Sequence, residues 1–90
     1  MELKNYMEDY VISKLNEVML QYPDCCQCES CKMDIANLAL NHLPPKYVST
    51  EKGRVFARVE CMESALAVEA LKQIDAAIAI VQAHPRHHLV

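Results

Sequence analysis

The chain contains no tryptophan, one phenylalanine and one glycine among its 90 residues. With a single glycine it has no glycine-rich loop to cradle a phosphate chain. No stretch reaches the roughly 18 apolar residues that a membrane-spanning helix needs. The opening Met-Glu-Leu-Lys-Asn lacks the apolar core of a signal peptide. A cytoplasmic location without a membrane partner is therefore expected. Basic runs are also missing. Nine Lys and Arg against twelve Asp and Glu leave a net charge of -3, which argues against general nucleic-acid binding. There is no helical HExxH pair and no convincing Ser–His–Asp set, and an enzyme is not expected.

What is present is apolar and sulfur-rich. Residues 1–90 make one domain, and a chain this short buries only about 60–65% of its unfolded surface on folding. Metal ions, disulfides or oligomerisation usually supply the missing stability. The apolar fraction of 52% is high for the length, which suggests that a second copy covers part of the surface. Ala, Leu, Val and Met favour helix over sheet.

The first helix is predicted over about Leu3–Gln21, where Leu3, Met7, Val11, Leu15 and Val18 recur at spacings of four and three and Tyr6, Tyr10 and Met19 widen the stripe. Pro23 ends it. After a cysteine-rich loop, Ser30 is a candidate N-cap for a second helix, and Ile35, Leu38, Ala39, His42 and Leu43 lie on one side of it. Pro44 and Pro45 stop that helix. Residues 44–53 read as a loop with Gly53 as a turn residue. From Val55 to Cys61, alternation of Val55, Ala57, Val59 and Cys61 predicts a short strand, with an extended lead into the next helix as the alternative. The last helix is predicted over about Met62–Ala83, apolar on more than one side. His84, His87 and His88 lie in the tail. The expected fold is mainly α, with about three helices and one short strand.

Cys25, Cys26, Cys28 and Cys31 fall within seven residues, and Cys61 stands apart. In a reducing compartment clustered thiols are more often metal ligands or redox groups than disulfides. Cys26, Cys28 and Cys31 form C-x-C-x-x-C, a spacing that lets three thiolates turn onto one tetrahedral zinc. Cys31 at a helix start is further favoured as thiolate. For the fourth ligand the candidates are Cys25, Cys61, His84, His87 and His88; a ligand beyond residue 60 would close a long loop of unfolded chain. Redox chemistry at Cys28 and Cys31, an iron–sulfur cluster and inert reduced thiols are the competing readings. His42 and, by itself, Cys61 read as packing residues.

A second candidate site is basic. Lys46, Lys52, Arg54 and Arg58 cluster around Tyr47 in an otherwise acidic chain. Guanidinium groups pair with phosphate and an aromatic ring stacks on a base, so Lys46, Tyr47, Arg54 and Arg58 are the candidate ligand-binding residues. A solvated loop is the alternative.

Taken together, Cys26-x-Cys28-x-x-Cys31-x-x-Asp34, Ala39-Leu40-Asn41 and Leu43-Pro44-Pro45-x-Tyr47-Val48 resemble the late competence development protein ComFB family. The resemblance covers most of the chain, from the first helix to Pro85. It implies a small, mainly helical homodimer that binds Zn2+ through Cys26, Cys28 and Cys31. Some cyanobacterial relatives are described as receptors for cyclic dinucleotides such as cyclic di-GMP. A Bacillus member of that family carries a further cysteine near its C-terminus, where this chain has His87 and His88. The expected function is that of a zinc-binding homodimeric regulatory protein taking a cyclic dinucleotide. A ligand-free adaptor for a protein partner and a cysteine-based redox sensor are the alternatives.

Overall fold

The computed structural model describes residues 3–84. In chain order the elements are β1 (Lys4–Asn5), α1 (Tyr6–Met19), α2 (Glu29–Leu40), β2 (Tyr47–Val48), α3 (Glu51–Met62) and α4 (Ser64–Ala83). The fold is mainly α as expected, with four helices rather than three and a two-stranded ribbon in an unexpected place. β1 pairs antiparallel with β2, Lys4 opposite Val48 and Asn5 opposite Tyr47.

Asn5 explains why the ribbon and α1 start together. Its extended backbone ends β1, and its side-chain oxygen accepts from the Met7 N–H at 3.1 Å as the N-cap of α1. The same oxygen accepts from the Lys46 N–H at 2.8 Å, and the Tyr6 N–H donates to the Lys46 carbonyl. One side chain thus joins the start of α1 to the segment after Pro44 and Pro45. The predicted first helix is shortened at its N-terminal end for this reason.

The core lies where α1, α2 and α4 meet. Met7, Val11, Leu15, Val18 and Met19 are buried from α1, Ile35, Ala36 and Ala39 from α2, and Ala70, Ile74, Ala77, Ile78 and Val81 from α4. The most extensive packing is between α2 and α4. Both contribute buried alanines, whose small side chains let helix axes approach closely. The two-sided apolar pattern of the last helix is met in part by α2 and in part by α1 and α3.

The region predicted as a strand is α3. Thr50 caps it, accepting from the Gly53 N–H at 3.0 Å, so Gly53 lies in the first helical turn and is not a turn residue. The alternation of Val55, Ala57, Val59 and Cys61 misled because only Ala57 and Cys61 are buried, a spacing of four. Val55, Phe56, Val59 and Met62 stay more than half exposed. Glu63 has extended backbone (φ -71°, ψ 141°) and separates α3 from α4, so the last helix begins at Ser64 instead of Met62. Among the described residues no helix is long and apolar enough to cross a membrane.

Candidate metal centre and neighbouring groove

The loop between α1 and α2 is shaped by backbone hydrogen bonds. α1 ends in a turn in which the Tyr22 N–H donates to the Met19 carbonyl, and the Cys25 N–H donates to the Tyr22 carbonyl, each at 3.0 Å. Gln27 Nε2 donates to the carbonyls of Met19 and Cys25, both at 3.3 Å, which ties the cysteine loop to the end of α1. Tyr22 Oη donates to Asp75 Oδ1 at 2.9 Å and so fastens the loop to α4.

α2 begins at this loop with a cysteine as its cap. Cys28 has extended backbone (ψ 161°), and its sulfur accepts from the Cys31 N–H at 3.4 Å. The predicted cap, Ser30, lies inside the first turn instead. The correction has a chemical reason: a sulfur in the N-cap position faces the free N–H groups of the first turn, as an anion does. That hydrogen bond is the main cause holding the Cys28 thiol below its ordinary value. Burial, followed by the hydrogen bond to Cys28, pushes Cys31 up to about 12. Burial also raises Cys25.

Cys26, Cys28 and Cys31 converge: their sulfur atoms all lie within 4.8 Å of one another. Thiolates about 2.3 Å from a tetrahedral zinc stand about 3.8 Å apart, so closure onto an ion needs a movement of at most about 1 Å. As whole residues, Cys26 is exposed, Cys28 half-buried and Cys31 buried. Three soft donors in this arrangement fit zinc, whose binding requires each thiol to lose its proton.

Of the candidates for the fourth ligand, Cys61 and His84 lie away from the trio. Cys61 lies on α3 with its sulfur 3.7 Å from Met7 Sδ, both residues buried. Met7 and Met19 are twelve residues apart on α1, about 18 Å of helix, and the cysteine loop is tied to Met19. The helical state of residues 51–62 is what takes Cys61 to the wrong end of the molecule. Cys25 is also buried, with its sulfur 3.7 Å from the Cys26 carbonyl oxygen. His84 ends α4 beside Asn37 and Asn41, at the opposite end of α2 from Cys28. His87 and His88 lie outside the described residues. His42 is exposed, with Nδ1 2.8 Å from the Leu38 carbonyl oxygen.

The basic candidates divide. Arg54 and Arg58 line a groove of about 430 Å³ between α3 and α1, facing Tyr6, Asp9, Tyr10 and Ser13. A recess of about 330 Å³ by the start of α3 adjoins it, sharing Arg54. Asp9 holds Lys4 at 3.1 Å and Arg54 at 3.4 Å. Among the described residues Arg58 forms no ion pair. Lys46 does not face this groove; its ammonium pairs with Glu60 at 2.8 Å, which raises the Lys46 pKa. Tyr47 is exposed on β2, outside the groove's lining.

The family model for the late competence development protein ComFB matches residues 4–85. The chain belongs to the ComFB family. A solved structure of the late competence protein ComFB from Bacillus subtilis shares the fold at a TM-score of 0.77 and 25% identity, over 93% of this chain and 92% of that one. No curated protein matches the chain in sequence.

Within this ComFB-family fold the groove has two members that sequence reasoning assigned elsewhere. The period of α1 counts Tyr6 and Tyr10 with its apolar stripe, yet they stand at its half-buried edge, beside the arginines. Their i, i+4 spacing next to Asp9 is the signal that could have marked them, because it puts two phenols and a carboxylate on neighbouring positions of one helix.

Proposed function

We propose that this ComFB-family chain is a zinc-binding, homodimeric regulatory protein of the cytoplasm, and that the α1–α3 groove takes a cyclic dinucleotide such as cyclic di-GMP. The observation that carries the zinc reading is the convergence of Cys26, Cys28 and Cys31 within 4.8 Å at the start of α2. An ion there would cross-link the loop to the helix in a chain with little core, so metal binding would add directly to folding stability. Metal analysis of protein purified without chelator tests it. One zinc per chain is expected, and metal-free protein from a metal-replete preparation overturns the reading.

The ligand reading rests on the groove. Arg58, without an ion pair among the described residues, and Arg54 beside it can meet phosphate oxygens, and Tyr6 and Tyr10 offer aromatic faces for a base. Tyr47 and Lys46, expected to join them, do not face it. Calorimetric titration with cyclic di-GMP and with cyclic di-AMP is the test. Arg58→Ala is expected to weaken binding at least tenfold, the loss of roughly 1.4 kcal/mol that a charge-assisted pair can supply. Silence with both nucleotides at micromolar protein removes the groove from the proposal.

The exposed apolar side of α3 supports the second copy, and equally supports the adaptor alternative in which another protein covers it. Pull-down with and without nucleotide separates these. The nearness of the Cys28 and Cys31 sulfurs favours the redox alternative, in which mild oxidation forms a disulfide and expels zinc; thiol counting reads that outcome. The name of the family and of the Bacillus subtilis protein supports a role in competence, which transformation frequency of a deletion strain would test.

A further inference from the structure

We infer, resting on the ligand reading above, that Asp9 competes with the ligand's phosphate for Arg54 and so holds down the affinity of the α1–α3 groove. Asp9 lines the groove together with both arginines. Its Oδ2 meets Lys4 Nζ at 3.1 Å and Arg54 Nη2 at 3.4 Å. Three elements thus converge on one carboxylate oxygen: Lys4 comes from β1, Asp9 from α1 and Arg54 from α3.

The two arginines of the groove are therefore unequal. Arg58 forms no ion pair among the described residues, and a phosphate meets it without displacing a protein group. Arg54 already faces an anion that belongs to the fold. A phosphate arriving there shares the guanidinium with Asp9 or takes it over. Lys4 makes the takeover cheap. It is the nearer of the two cations on Oδ2, so Asp9 keeps a partner when Arg54 turns to the ligand. The Arg54 side chain is 52% exposed and that of Asp9 38%, so water and salt weaken their pair. The competition therefore tunes binding and does not forbid it. Asp9 is in this sense a positioning residue that acts through Arg54.

Calorimetric titration of the whole chain with cyclic di-GMP at low ionic strength reads the competition. Asp9→Asn keeps the shape of the side chain and removes its charge. It is expected to tighten binding by about fivefold, the upper end of what an exposed ion pair is worth. In an Arg54→Ala background the same substitution is expected to change affinity by less than about twofold, because no contested guanidinium remains. Glu8→Gln is the control: it removes the other acidic charge from the first turn of α1, outside the groove's lining. It is expected to leave affinity within about twofold, since charges apart from the groove are screened. Neither Glu8 nor Asp9 is buried, so both variants are expected to keep the parent's far-UV circular dichroism. Unchanged or weaker binding by Asp9→Asn, with the parent binding, overturns the inference and leaves the groove reading in place. An equal gain with and without Arg54 overturns it too, since Asp9 would then act by repelling the ligand directly. Binding by neither the parent nor Asp9→Asn overturns the groove reading itself, and the competition with it.

Discussion

Asn5 shows how much a single oxygen can organise. It accepts from Met7 and Lys46 at once, so removing it frees a helix N-terminus and a loop together. Asn5→Ala is expected to cost about 1–2 kcal/mol, a fall of roughly 5–15 °C in Tm by differential scanning calorimetry. Tyr22 holds the cysteine loop to α4 through Asp75, and that hydrogen bond is the chief cause of its pKa lying above 10.0. A phenol whose folded pKa is raised contributes stability that is full below its unfolded value and is lost as pH rises through the folded one. The stability gap between wild type and Tyr22→Phe is thus expected to be constant through neutral pH and to close above pH 10, measured by urea unfolding at stepped pH.

At the scale of the element, α2 combines a helix cap with a candidate ligand in one residue, Cys28. The two roles are separable. Cys28→Ser supplies a hydroxyl that can accept from the Cys31 N–H, whereas Cys28→Ala supplies nothing. In chelator-treated protein, Cys28→Ser is expected to keep the far-UV circular dichroism of the parent and Cys28→Ala to lose about 1 kcal/mol more, while both lose the metal in a zinc-content assay. α3 buries little, mainly Ala57 and Cys61, and leaves Val55, Phe56, Val59 and Met62 in solvent. Its stability as part of the fold leans on the Thr50 cap and on β2 and α4, both of which it packs against.

At the scale of the whole molecule, the exposed apolar side of α3 and the candidate metal site each carry a prediction. If a second copy covers α3, Phe56→Glu with Val59→Glu should give a folded monomer by light scattering, since both side chains are exposed within one chain and their loss creates no cavity. If a bound ion ties the loop to α2, a chelator should lower the Tm of wild type and leave that of Cys31→Ser unchanged. A Tm indifferent to chelator in both would remove the stabilising role of the metal.

The helical class, the approximate places of α1, α2 and α4, and the cysteine trio were legible from the chain alone. These depend on short-range periods: apolar residues three and four apart mark a helix face, and C-x-C-x-x-C at a helix start can close on one ion wherever that helix goes. What only tertiary structure decided was long-range. Residues 55–61 satisfy the period of a strand and lie in a helix, because the cap at Thr50 and the burial of Ala57 and Cys61 outweigh the alternation of Val55 and Val59. That helix carries Cys61 to Met7, away from the trio, and sets Arg54 and Arg58 opposite Tyr6 and Tyr10. Residues some fifty positions apart in the chain meet through packing, and no local pattern records which of them will be neighbours.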